Sequence, residues 1–259
     1  MGRTETAPAV AWRNVSKAYP GHAALHEVSL EAAQGEFLAI LGTSGSGKTT
    51  LLKMVNRLLD PTAGEVIVEG RPTHEWDPIA LRRSTGYVIQ EVGLMPHMTI
   101  LANVGIVPRL LGIPPEECRS RASHRLQIVG LDPERFGPML PHQLSGGQRQ
   151  RVGVARALAA DPALILMDEP FGALDPITRR EIQAEFRSLQ QRLGKTVIFV
   201  THDLREACRM ADRLALMDHG ELIQQGPAID FLERPATEFV RSFFQDAGAV
   251  VETSEGGPV

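Results

Sequence analysis

Cysteine is scarce. Cys118 and Cys208 are the two in the chain, and no Cys-x-x-Cys pair occurs, which excludes a disulfide scaffold and a thiolate zinc site and fits a reducing compartment. Long apolar runs are absent as well: none approaches the roughly eighteen residues that a membrane-spanning helix needs. The opening Met1-Gly2-Arg3-Thr4 has no signal-peptide core, so the chain is expected to be soluble by itself. Gly2-x-x-x-Thr6 fits a loose acylation pattern, but nothing else supports a lipid anchor and the pattern carries no weight. Basic charge is not in excess. With 27 basic and 31 acidic residues the net charge is -4, on a chain 22% charged and 43% hydrophobic. That balance excludes wholesale disorder and a strongly basic nucleic-acid binder, while a local basic patch stays open. No segment repeats at a period of about 20 to 50 residues, so solenoids and propellers are excluded.

What is present is enough chain for a core. Its 259 residues amount to fewer than two units at about 150 residues per domain, able to bury about 70% of the unfolded surface. β-like runs open the chain at Val10 to Tyr19 and Leu25 to Leu30, and Phe37 to Leu41 is a continuous apolar run of buried-strand type. Similar runs recur at Leu164 to Met167, Val197 to Val200 and Leu214 to Met217. Ile182, Phe186, Leu189 and Leu193 follow helical spacing between Asp175-Pro176 at the start and Gly194 at the stop. Strands alternating with such helices imply an α/β fold on a parallel sheet. From about Glu91 to Ala160 the pattern becomes helical stretches broken by Pro108, Pro114, Pro115, Pro133, Pro138 and Pro141, which reads as a helical insertion. Residues 1–8 and 245–259 read as flexible, solvated tails around a domain at 9–244.

The strongest local signal is Gly42-Thr43-Ser44-Gly45-Ser46-Gly47-Lys48-Thr49, a full G-x-x-x-x-G-K-[ST] set between the apolar strand and the helical run Leu51 to Leu59. Glycines there let successive N–H groups turn inward around phosphate oxygens, and the following helix presents its positive end to the same anion. Lys48 would reach the β- and γ-phosphates and the Thr49 hydroxyl a Mg²⁺ ion. An ordinary Gly/Ser loop is the alternative, and the strand and helix flanks favour the nucleotide. Asp168-Glu169 ends a second apolar strand, where an Asp can hold Mg²⁺ and the adjacent carboxylate polarise the attacking water. By itself that pair would read as acids entering a turn before Pro170; the phosphate loop upstream reverses the preference. Ser145-Gly146-Gly147-Gln148 is a capped, glycine-rich helix start in which Ser and Gln can satisfy first-turn N–H groups, and such a start can also receive a γ-phosphate.

With the phosphate loop before it and Asp168-Glu169 after it, Leu144 to Gln148 resembles the signature of the ABC-type ATPases, and the resemblance covers nearly the whole chain. It implies a P-loop NTPase core with a mostly parallel sheet, an N-terminal antiparallel β subdomain and the helical subdomain at about 91–160 inserted. Residues Gly42 to Thr50, Thr50 included, would hold ATP, and Ser145 to Gln148 would serve the nucleotide of a second subunit in a head-to-tail dimer. Tyr19 sits where that family stacks an aromatic on adenine, although it also reads as a plain strand aromatic. Gln90, closing the strand Gly86 to Ile89, resembles the glutamine that touches Mg²⁺ and the attacking water and relays nucleotide state to the membrane subunits. Asp175 resembles the D-loop aspartate at the dimer interface, and is equally a helix N-cap before Pro176. His202 resembles the switch histidine on the γ-phosphate. His22 and His26, four apart without a third ligand, read as surface residues.

The stretches Lys53 to Leu58, Gly86 to Gln90, Gly93 to Thr99, Val107 to Gly112 and Phe171 to Thr178 are similar to the ATPase subunit of bacterial quaternary-amine importers for glycine betaine, choline or carnitine. That resemblance implies a peripheral subunit on the cytoplasmic face of the membrane. Its partners would be transmembrane permease subunits, a second ATPase subunit and, indirectly, a solute-binding protein, with no nucleic acid. Many such subunits continue into a pair of CBS regulatory domains that this length does not hold, so ionic-strength sensing is not carried over. A chromosome-maintenance ATPase would need long heptad coiled coils where this interval is short and proline-broken. A ribosome-associated type joins two cassettes, and a non-catalytic ATP sensor would not need Lys48, Asp168, Glu169 and His202 together. An importer for another solute stays open.

Overall fold

The computed structural model describes residues 7–90, 92–172 and 174–245. Its chain contacts divide into two units, residues 7–78 with 196–245, and residues 79–195. The tails read at 1–8 and 245–259 lie, apart from residues 7, 8 and 245, outside the described residues, as do Gly2, Thr6, Glu91 and Ala173.

In the first unit β1 (Val10–Tyr19) runs antiparallel to β2 (His22–Ala32), from Val10 opposite Ala32 to Tyr19 opposite His22. β2 extends past the apolar run Leu25 to Leu30 at both ends because its length is set by ladder partners: the exposed His22 pairs with Tyr19 and Ala23 with Ala18 at one end, and Glu31 with Ala11 and Ala32 with Val10 at the other. β3 (Phe37–Gly42) is buried at every position, as its unbroken apolar run implies, and leads to α1 (Lys48–Val55). That helix stops short of the run to Leu59. Arg57 takes a left-handed conformation (φ 52°), Arg57 N donates to Met54 O (3.2 Å) and Leu58 N to Lys53 O (2.9 Å). This is a Schellman stop with arginine where glycine is usual. β4 (Ala63–Val68) and β5 (Arg71–Pro72) complete an antiparallel sheet of order β2-β1-β4-β5.

The second unit begins within α2 (Pro78–Ser84) and continues through β6 (Thr85–Val88), α3 (Ile100–Val104), α4 (Ile106–Leu110), α5 (Pro115–Ile128), α6 (Pro133–Phe136) and α7 (Gly146–Leu158). Pro115 and Pro133 open helices rather than break them, at a position whose amide has no intrahelical partner. Pro108, read as a break, lies buried in the first turn of α4, where the same reasoning tolerates it. α3, α5 and α7 pack on one another, and Ile100, Val104, Ala122, Leu126 and Leu158 are buried. β7 (Leu164–Asp168) runs parallel to β6, from Leu164 opposite Thr85 to Met167 opposite Val88. α8 (Pro176–Leu193) buries Ile182, Phe186 and Leu189 and ends at Gly194 in a left-handed turn (φ 61°), with the bounds its sequence signals set.

Returning to the first unit, β8 (Thr196–Val200), α9 (Leu204–Met210), β9 (Arg213–Asp218), β10 (Glu221–Gly226), α10 (Ala228–Glu233) and α11 (Glu238–Phe244) follow. β3 is parallel to both β8 and β9, and β10 pairs antiparallel with β9, giving a mixed, mostly parallel sheet. Phe231 of α10 stacks on Phe244 of α11 at 4.7 Å between centroids. Among the described residues no helix is long and apolar enough to cross a membrane.

Candidate functional site

Because β3 is flanked in parallel on both sides, the loop leaving its carboxyl end sits where α/β sheets bind ligands. Gly42 (φ 151°) passes so close to β9 that a Cβ would stand 2.2 Å from Met217 O and 2.6 Å from Ser46 Oγ. Gly47 (φ 95°), the N-cap of α1, would place one 2.6 Å from Leu25 Cδ2 and 2.7 Å from Ala24 O. Only glycine satisfies both the angle and the space. α1 begins without a side-chain cap and without an acid in its first turn, which leaves its positive end suited to an anion. Lys48 is buried, its Nζ donating to Gly42 O (3.0 Å), Thr43 O (2.6 Å) and Ser46 Oγ (3.3 Å). The ammonium therefore lies within the turn of the loop. Thr43, Ser44 and Gly45 are exposed, Ser46 is buried, and Thr49 and Thr50 are half-buried.

The strands beside β3 deliver two more groups to the same edge of the sheet. Val200 is opposite Ile40 and Met217 opposite Gly42, so His202 and Asp218 leave β8 and β9 level with the loop. Asp218 was not singled out from the sequence, yet its Oδ1 accepts from Thr43 Oγ1 (3.2 Å). Its signal was available: an acid closing the apolar run Leu214 to Met217, the same pattern read at Asp168. His202 is exposed and bracketed by fixed neighbours. Thr201 Oγ1 donates to Glu206 and accepts from Asp203 N (3.0 Å), while Asp203 caps α9 by accepting from Glu206 N (3.1 Å). Tyr19 is half-buried; its ring stacks on His22 (5.4 Å between centroids, 20° between planes) with Lys17 Nζ 5.3 Å from its centre. His22 is thus exposed, as read, but it has a partner.

In the second unit Asp168 closes β7 half-buried, and Glu169 follows in a left-handed conformation (φ 45°), uncommon away from glycine. The Tyr87 hydroxyl on β6 is buried without a hydrogen-bond partner. Burial pushes that phenol's pKa up, and the charge of Asp168 adds to the rise. Gln90 does not close the strand. β6 ends at Val88, the last residue paired with β7, and Gln90 is exposed two residues beyond. Ser145 caps α7 as its sequence suggests: Ser145 Oγ accepts from Gln148 N (3.2 Å) and Gln148 Oε1 accepts from Ser145 N (2.9 Å). Ser145 is exposed, and the first turn of α7 holds no acid. Asp175 caps α8, its Oδ1 accepting from Ile177 N (3.2 Å) and Thr178 N (3.1 Å). A bond with the Thr178 side chain, and then these amides, hold its carboxyl below the usual range. A Cβ on Gly147 would meet Thr178 Cγ2 at 2.8 Å. The start of α7 and the Asp175 cap are therefore brought together through Thr178.

The family model described as ABC transporter matches residues 25–172. Choline transport ATP-binding protein OpuBA of Bacillus subtilis (strain 168) is 52% identical over 231 residues, 89% of this chain and 60% of that protein. Glycine betaine/carnitine/choline transport ATP-binding protein OpuCA of the same organism is 52% identical over 230 residues, 88% of this chain and 60% of that protein. The chain thus spans about 60% of the length of these curated relatives. The solved dimeric structure of a post-hydrolysis state of the ATP-binding cassette MJ0796, bound to ADP and Pi, is 39% identical with a TM-score of 0.75, covering 84% of this chain and 98% of that one. On the phosphate loop at β3, the capped start of α7 and these matches, the chain belongs to the ABC transporter family.

Proposed function

We propose that this chain is the ATP-hydrolysing subunit of an importer, energising uptake of a quaternary amine such as glycine betaine, choline or carnitine through partner membrane subunits. The observation that carries the ATPase reading is the loop itself: two glycines that admit no Cβ, a buried lysine in the turn and an uncapped helix start behind it. The quaternary-amine reading rests on the printed names of OpuBA and OpuCA together with their identity to this chain.

In this reading Gly42 to Thr50 cradle the phosphates, Lys48 neutralises the β- and γ-oxygens, and Tyr19 stacks on the adenine. The residues that would hold Mg²⁺ are Thr49 through its hydroxyl, Gln90 through its amide oxygen and Asp168 through its carboxylate, each an oxygen donor of the hard kind that ion takes. The ion would supply charge neutralisation on the phosphates. Glu169 takes the proton of the attacking water, Gln90 and His202 orient the water and the γ-phosphate, and Ser145 to Gln148 of a second copy close over the same nucleotide with Asp175 at the interface. In the same reading the ATPase domain would span 9–244 with its helical subdomain at about 91–160, and the subunit would lie on the cytoplasmic face of the membrane. Radiolabelled uptake in a strain with and without the gene tests this. Loss of betaine, choline or carnitine uptake on deletion is expected; unchanged uptake of all three with loss of another solute would remove the substrate class and keep the ATPase.

A further inference from the structure

Two separate features tie α7 to the segment that follows Gln90. The Arg156 guanidinium, on the third turn of the helix, donates to Val92 O and, at 2.7 Å, to Gly93 O. One turn earlier Gly153 lets the Val92 side chain lie flat on the helix, since a Cβ there would stand 2.5 Å from Val92 Cγ1. The guanidinium is desolvated, which lowers its pKa. Two carbonyl bonds repay part of that burial and make the contact specific to a planar fork. The rest of the segment is pinned by Asn103, a fully buried side chain on α3. Its Nδ2 donates to Met95 O (3.1 Å), Met98 O (3.0 Å) and Thr99 O (3.1 Å), and its Oδ1 accepts from Met95 N (2.7 Å). Nothing local in the sequence requires these ties, because Arg156 lies 63 residues from Gly93.

We infer that Arg156 is a positioning residue that makes α7 a strut between two nucleotide-facing segments: Ser145-Gly146-Gly147 at one end and, about 16 Å along the helix, the chain just behind Gln90. Whatever an ATP phosphate does to the start of α7 reaches residues 92 and 93 as a rigid displacement, and the reverse holds by the same linkage. Arg156 touches no nucleotide in this account. It sets where Gln90 stands when the γ-phosphate is gripped, so its loss lowers turnover and spares binding. The inference rests on the nucleotide roles proposed for Gln90 and Ser145.

The test uses the full chain, MgATP hydrolysis for kcat and KM, and titration with a fluorescent ATP analogue. Arg156→Lys keeps the charge and the stem without the fork, and Gly153→Ala pushes Val92 off the helix. Each is expected to lower kcat at least about fivefold while KM and analogue affinity stay within about twofold of wild type. Val92→Ala added to Gly153→Ala removes the clashing methyl and is expected to bring kcat back to within about twofold, a rescue that a generally damaged fold would not give. Wild-type turnover in Arg156→Lys, losses of binding that match the loss of kcat, or a double variant no better than Gly153→Ala alone would overturn the strut and leave the ATPase reading standing. A wild-type protein without hydrolysis would overturn both.

Discussion

The Thr201 hydroxyl donates to a carboxylate oxygen of Glu206, and both side chains are buried, 2% and 4% exposed. Thr201 N continues the β8 ladder onto Ile40 O (3.2 Å) of β3, and Asp203 N returns to the Thr201 hydroxyl, so the backbone on either side of His202 is fixed to the strand that carries the phosphate loop. The backbone that carries an exposed histidine is in this way held by a buried pair.

Thr201→Val preserves shape and removes that donor from the buried carboxylate and that acceptor from Asp203 N. We expect a loss of about 1 to 3 kcal/mol in urea-unfolding stability, together with a fall in kcat that leaves KM for ATP unchanged. A variant as stable and as active as wild type would show that the pair neither supports the fold nor holds the backbone at His202.

Lys48→Ala removes the cation that the loop holds in its turn. Phosphate release is expected to vanish and titration with a fluorescent ATP analogue to show sharply weaker binding. Turnover at the wild-type rate would remove the loop from the nucleotide site.

Glu169→Gln keeps the size of a side chain held at φ 45° and removes its charge. With Asp168 assigned to the metal, MgATP binding is expected to persist while hydrolysis slows by on the order of 10²- to 10⁴-fold. Light scattering should then show a dimer with MgATP and a monomer without it. Ser145→Arg on that background is expected to abolish the dimer by crowding the γ-phosphate site. A variant that stays monomeric at saturating MgATP, or hydrolyses normally, would cost Glu169 its role or the isolated subunit its two-site sandwich.

Asp161 joins the second unit by ion pairs to Lys195 Nζ (3.1 Å) and Arg125 Nη2 (3.1 Å). The hydrogen bond from Lys195, then the Coulombic pull of Lys195, Arg125 and Arg121, hold its carboxyl below the ordinary 3.8. A depressed folded value means stability present above the unfolded pKa and lost as pH falls through the folded one. Asp161→Asn should therefore lag wild type in urea at pH 7, by about 1 kcal/mol or less because solvent screens the exposed carboxylate, and the gap should narrow as pH falls below the ordinary 3.8 toward the depressed folded value. A gap that grows toward acid would reverse the assignment.

Much of this molecule is local and could be read from residues in order. Phe37 to Leu41 is apolar without interruption because both faces of β3 are covered, and Asp175-Pro176 and Gly194 bound α8 because cap chemistry acts within a few residues. The reciprocal Ser145 and Gln148 bonds are likewise a matter of four consecutive positions. β4, β5 and β10 were not legible: they are short, partly exposed and of mixed polarity, and they become strands by pairing with β1, β4 and β9 respectively. α1 ended early because Arg57 accepts a left-handed turn that no propensity assigns to arginine.

The sequence by itself determined the glycine-rich loop pattern from Gly42 to Thr49 and the ends of α8, and marked β3 to within one residue, since each depends on neighbours within one turn or one strand. Tertiary structure alone decided that Asp218, 175 residues from Thr43, stands against the phosphate loop, that Gln90 lies beyond its strand, and that Arg156 holds the chain behind it. Those positions follow from which strands pair and which helix faces meet, and pairing between distant segments leaves no periodic mark on either one.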